Sequence, residues 1–91
     1  MFSAKVVGNV VATQKDQGLV GTKLLIVCPL YEEFKKENCL IAVDSVGAGI
    51  GELVLVASGS GARKTNHFEG SPIDLAIVGI IDEIELDESS F

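Results

Sequence analysis

The sequence predicts an all-β fold, a small closed or nearly closed barrel of five strands with at most a short helical turn. Three observations carry this prediction. Five runs of six to ten residues are dominated by valine, isoleucine and leucine, which suit a pleated, half-buried surface. Glycines sit inside or between those runs, where a small barrel must bend. No segment has the length and period of a helix that could carry a βαβ crossover.

The first run, Lys5 to Thr13, is rich in valine, and Gly8 within it marks a bend or bulge. The polar stretch Gln14 to Gly18 is a turn, with Gly18 or Gly21 free to take positive φ. The second strand, Lys23 to Cys28, ends at Pro29, which has no ladder donor. Leu30 to Asn38 is the most charged stretch. Glu32 and Lys36 stand four apart in the order that favours a helix, but the segment is too short for one to stand alone, so a solvent-facing loop is expected. Leu40 to Val46 is the third strand and Glu52 to Ser58 the fourth, separated by Gly47-Ala48-Gly49-Ile50-Gly51. After Gly59-Ser60-Gly61, Ala62 to Asn66 allows one helical turn before a polar loop runs to Pro72. The fifth strand, Ile73 to Asp82, continues into the alternating Glu83-Ile84-Glu85-Leu86, and Asp87 to Ser90 reads as a solvated acidic end. A single domain accounts for residues 1–91, without repeat, linker or low-complexity tract.

Hydrophobic residues make up 47% of the 91-residue chain but aromatics only 5%. A folded chain of this size buries only about 63% of its unfolded surface, so a lone subunit is marginal and its aliphatic excess favours burial between copies. A formal charge of −6 disfavours a nucleic-acid backbone as partner. Cys28 and Cys39 lack metal-ligand spacing and allow at most one disulfide, which suits a reducing cytosol. The start of the chain lacks the pattern of a leader, and the longest apolar run, Leu75 to Ile81, is too short to span a bilayer, so no membrane is expected.

The motifs that carry chemistry elsewhere fail here on spacing. Gly47-Ala48-Gly49-Ile50-Gly51 is superficially like a dinucleotide fingerprint, but a β-rich run follows it where a helix N-terminus must meet the pyrophosphate. It reads either as a tight turn or as a place where nearly side-chain-free backbones of symmetry-related copies crowd around an axis. Gly59 to Thr65 approaches a phosphate loop, yet Arg63 stands where the glycine before Lys64 is required. The two cations remain open to an interfacial ion pair, a solvated surface or a small-anion site. His67 reads as a surface residue, no Gly-x-Ser-x-Gly elbow surrounds Ser58 or Ser60, and Cys28 reads as a packed small hydrophobe. Asp44 and Glu52 flank the glycine turn, where they can hydrogen-bond the turn or an interface, or serve as an acid and base pair. Scattered polar groups such as these do not predict an enzyme.

Several runs together resemble the EutN/CcmL family, the vertex proteins of bacterial microcompartment shells. They are Val6 to Thr13, Leu24 to Val27, Ala42 to Glu52, Val54 to Arg63 and Pro72 to Asp82, which cover nearly the whole chain in order. The joint occurrence of Asp-x-x-Gly-Ala-Gly-x-Gly-Glu and Gly-Ser-x-Ala-Arg is the most specific part, although Gly61 stands where serine is common. The resemblance implies a five-stranded barrel like an OB-fold, assembled as a homopentamer that closes the vertices of a shell around an enzyme cargo in the cytoplasm. It implies neither catalysis nor a cofactor, and hexameric shell proteins as partners. Asp44, Gly47, Gly49, Gly51 and Glu52, with Ser58, Gly59 and Arg63, are the matching signature positions, expected at subunit contacts or near an axial opening. Tyr31 to Asn38 is more charged than the usual turn there and would tune contacts with particular tiles. The rival reading is an OB-like module binding nucleic acid or a small anion, which would need an aromatic platform or a cationic groove.

Overall fold

The computed structural model describes residues 1–12, 21–59 and 74–91. Strands β1 (Phe2–Val10), β2 (Lys23–Pro29), β3 (Leu40–Asp44), β4 (Leu53–Ser58) and β5 (Leu75–Ile81) close into a barrel in the order β1-β2-β3-β5-β4. Every neighbouring pair is antiparallel except β3 and β5, which run parallel. Closure leaves no long free edge, the usual hazard of a small sheet.

Alternation along each strand divides the aliphatic side chains between two layers. Ala4 and Val6, Leu25 and Val27, Ala42, Val54 and Val56, and Ile77 face inward and fill the lumen with Ala48. Apart from Leu25 these residues are small or β-branched, which suits the narrow interior of a five-stranded barrel. On the outside, Val43, Ala57 and Ala76 form a second buried cluster with Leu24 and Val78 packed against it.

Two bulges curve the wall. The β1–β2 register jumps from Val6↔Val27 to Gly8↔Ile26, so Val7 is the unpaired extra residue. A Cβ on Gly8 would lie 3.3 Å from Cδ1 of Ile26, a tight approach that the glycine avoids. The bulge expected at Gly8 is thus present. A second shift, between Leu55↔Gly79 and Val56↔Ile77, leaves Val78 as the extra residue of β5.

The strand limits differ from the expected ones at several ends, for local reasons. β1 begins earlier, at Phe2, because Phe2 to Lys5 pair with Leu53 to Val56 of β4. It stops at Val10. β3 stops at Asp44 rather than Val46, since the Asp44 side chain turns to cap the residues that follow. β5 ends at Ile81, and the alternating segment after it is not a strand; Ile84 and Leu86 are exposed. Nor is the acidic end featureless, because Asp87 caps a 3-10 turn over Glu88–Ser90. Gly21 has φ +82°, as anticipated for that corner. Thr13 to Gly18, Ile73 and the turn suggested at Ala62 to Asn66 lie outside the described residues.

Helical content among the described residues is minimal. The charged connection between β2 and β3 is an exposed loop, as expected, with one 3-10 turn at Lys36–Asn38. The ion pair formed there joins Lys35 to Glu33 at 2.8 Å. No helix among the described residues is long and apolar enough to cross a membrane.

Candidate functional site

Leaving β3, the chain must reverse toward β4 while carrying five residues, Gly47 to Gly51, with little side-chain bulk to pack. Gly47 and Gly51 adopt φ +85° and +93°, a region where a Cβ meets the following carbonyl. The reversal exposes a run of backbone N–H groups, and Asp44 satisfies them from within. Its Oδ1 accepts from the N–H of Val46 at 3.0 Å and of Gly47 at 3.2 Å, and its Oδ2 from Ala48 at 2.9 Å. The carboxylate is nearly enclosed, with a side-chain exposure of 2%. Lys23 reaches across from β2, donating to the Ala48 carbonyl at 2.8 Å with its ammonium 3.8 Å from Asp44 Oδ2. A buried charge without such donors would be strongly unfavourable; here each oxygen has at least one.

The far half of the turn is held by Glu52. Its Oε1 accepts from the Gly49 N–H at 2.6 Å, while its own N–H donates to the Gly49 carbonyl at 3.1 Å. A Cβ on Gly49 would lie 3.3 Å from that same Oε1, so the residue leaves room for the carboxylate. The turn is also tied to its surroundings. Gly51 N–H donates to the Val6 carbonyl at 2.8 Å, Val6 N–H returns to the Glu52 carbonyl at 2.9 Å, and Ser45 Oγ donates to the Ile77 carbonyl at 3.0 Å. Ala48 is fully buried in the lumen cluster, so the turn plugs the barrel while Ile50 faces solvent.

This geometry answers the chemical readings. The amides that a phosphate would need are already occupied by the chain's own carboxylates, so the dinucleotide resemblance is one of sequence alone. Asp44 and Glu52 act as turn acceptors, the hydrogen-bonding role expected of them, rather than converging on an open pocket. Among the described residues no three His, Cys, Asp or Glu side chains gather as a metal site.

The structure brings Asp44, Gly47, Gly49, Gly51 and Glu52 into one turn and places Ser58 and Gly59 at the other end of β4, about 20 Å away along an extended strand. Ser58 is exposed and pairs with Leu75; Gly59, at φ +62°, donates to the Asp74 carbonyl at 2.9 Å. Arg63, Lys64, Ser60 and His67 lie outside the described residues. Sequence reasoning did not find Lys23 or Ser45. Their roles depend on strand register, which sets Lys23 opposite Asp44, and no local motif records it.

The comparisons with known proteins agree with this architecture. Residues 1–82 match the family model for ethanolamine utilisation protein EutN/carboxysome proteins. The bacterial microcompartment shell vertex protein GrpN of Rhodospirillum rubrum is 46% identical over 86 residues, spanning 93% of this chain and 97% of that protein. The structure of Nostoc sp. PCC 7120 CcmL superposes with a TM-score of 0.83 at 48% identity, covering 92% of each chain. The GrpN pentameric microcompartment shell protein from Rhodospirillum rubrum gives a TM-score of 0.79 at 42% identity, over 96% of this chain and 100% of that one. A closed five-stranded barrel, an aspartate-pinned glycine turn and near full-length similarity lead to one assignment: this chain belongs to the EutN/CcmL family of bacterial microcompartment shell vertex proteins.

Proposed function

We propose that the protein is a structural, non-catalytic shell component that assembles as a homopentamer and caps the vertices of a bacterial microcompartment in the cytoplasm. The observation that carries this reading is near full-length similarity, in sequence and fold, to a protein described as a pentameric microcompartment shell protein. The physical chemistry supports it. Ile50 on the turn and Leu55, Ile80 and Ile84 beside β4 and β5 leave aliphatic surface exposed, which a ring of copies can cover. A ring needs one heterologous contact, repeated, and five-fold closure satisfies every copy equally. In this reading the turn from Asp44 to Glu52 is a preformed contact element, Ser58 and Gly59 supply a second contact at the other end of β4, and the signature residue Arg63 takes part in subunit contact. Hexameric shell proteins are the flat tiles against which the pentamer sits.

Co-production with a set of hexameric shell proteins tests the function. Electron microscopy is expected to show closed polyhedral shells when the chain is present and open or extended ones when it is omitted. Identical shell morphology in both cases would contradict a vertex role. Within the ring, Arg63→Ala is expected to shift subunit dissociation to higher protein concentration; an unchanged dilution profile in analytical ultracentrifugation would remove Arg63 from the contact.

A further inference from the structure

Cys28 and Cys39 play no part in the turn or in the vertex reading, yet the fold brings them together. The antiparallel β2–β3 register runs from Lys23↔Asp44 to Val27↔Leu40, and the residues that follow its last rung are Cys28 and Cys39. Facing residues in such a ladder have Cα atoms about 4.5–5.5 Å apart, within the roughly 4.4–6.8 Å that a disulfide spans. Both line one cavity of about 250 Å³ with Val7, Phe34, Lys35 and Lys36. The Val7 bulge and the charged connection form its walls. The two thiols are free; Cys28 is fully covered and Cys39 part-exposed. Cys39 Sγ donates to the Lys35 carbonyl at 3.4 Å, and Cys28 Sγ to the Glu33 carbonyl at 3.7 Å, so both engage the same loop. Burial pushes the Cys28 thiol up, and the neighbouring Cys39 adds to the rise, so Cys28 is not the thiol that attacks first.

We infer that Cys28 and Cys39 form a dithiol modification site, which a low-molecular-weight disulfide oxidises to a cross-strand disulfide that pins the charged connection against the β2–β3 ladder. The part-exposed Cys39 reacts first. Its thiolate attacks one sulfur of the small disulfide, forming a mixed disulfide and expelling one small thiolate. Cys28 then loses its proton to solvent and attacks the Cys39 sulfur, expelling the second small thiolate. Two protein thiols are oxidised to one disulfide, and one small disulfide is reduced to two thiols. Through the part-exposed Cys39 the bond is open to thiol exchange, which both makes and breaks it.

The test equilibrates the purified full-length protein in glutathione buffers from reduced to oxidised, quenches with acid, unfolds the chain in denaturant at near-neutral pH with excess N-ethylmaleimide and measures intact mass and non-reduced peptides. The expected result is one reversible transition in which both alkylatable thiols are lost and an intrachain Cys28–Cys39 peptide appears. Cys28→Ser is expected to stop at a glutathione adduct on Cys39, and Cys39→Ser to leave Cys28 alkylatable in the same oxidised buffer. The inference is overturned if both wild-type thiols stay alkylatable throughout, if the wild-type chain stops at the Cys39 adduct, or if the disulfide joins two chains. The wild-type readings decide the matter even where a variant fails to fold.

Discussion

The two ends of the β2–β3 ladder solve the same problem, satisfying a chain reversal, by different means. At the Lys23↔Asp44 end the chain bends inward, and an enclosed carboxylate holds three backbone N–H groups while Ala48 fills the lumen. At the other end the connection from Leu30 to Cys39 bends outward, with Tyr31 to Lys36 exposed and held by its own carbonyls and an exposed ion pair. A ring contact there sets Tyr31 edge-on to Phe2, with centroids 6.1 Å apart. The first end is specified by buried charge and positive φ, so few residues fit it. The second rests on solvated contacts, so its sequence can vary without disturbing the barrel.

Substitutions at the two ends should therefore differ sharply in cost. The largest effect is expected for Asp44→Ala, which leaves the buried Ala48 N–H and the part-buried Val46 and Gly47 N–H groups without their acceptor and should lower stability by about 3 kcal/mol, read as a shift in the urea midpoint. A loss below that of an exposed surface substitution would show that the carboxylate does not pin the turn. Gly47→Ala and Gly51→Ala place a Cβ at positive φ and should each cost about 1–2 kcal/mol. Lys23→Met should cost no more than about 1 kcal/mol, because the lysine side chain is half exposed and its ion pair is long. At the other end Lys35→Ala, which removes the exposed pair to Glu33, should stay within about 0.5 kcal/mol of wild type. An equal loss there would erase the distinction between the ends.

A control comes from the acidic end, which belongs to neither. The Ser89 hydroxyl, then the Ser89 backbone N–H and the Ser90 hydroxyl, donate to Asp87 and hold its carboxyl below the usual carboxylate range. A lowered folded pKa means that the turn's stabilisation is present above the ordinary aspartate value of about 3.9 and is lost as pH falls through the lowered one. Amide shifts of Ser89 and Ser90 should thus move only on acidification past that value, leaving the barrel signals in place.

Much of this was legible in the sequence because its signals are local. Runs of valine, isoleucine and leucine marked all five strands, Gly8 marked the bulge, and the Asp44-to-Glu52 spacing marked a carboxylate-flanked turn. The rest depends on register. Lys23 meets Asp44, and Cys28 approaches Cys39, only after β2 and β3 pair, and neither relation has a fixed spacing that a reader of the chain could use. The segment Glu83 to Leu86 misled for a related reason. Its alternation is that of a strand, but the barrel closes through β4 and β3 on either side of β5, and no ladder partner remains beyond Ile81. Its Ile84 and Leu86 are left exposed.

The most direct test of the central claim is the mass of the purified protein measured under non-denaturing conditions across a range of concentrations. The account predicts a complex of five chains that persists on dilution. A chain that stays monomeric at every concentration would contradict it, because the exposed aliphatic surface and the preformed turn would then have no ring to serve.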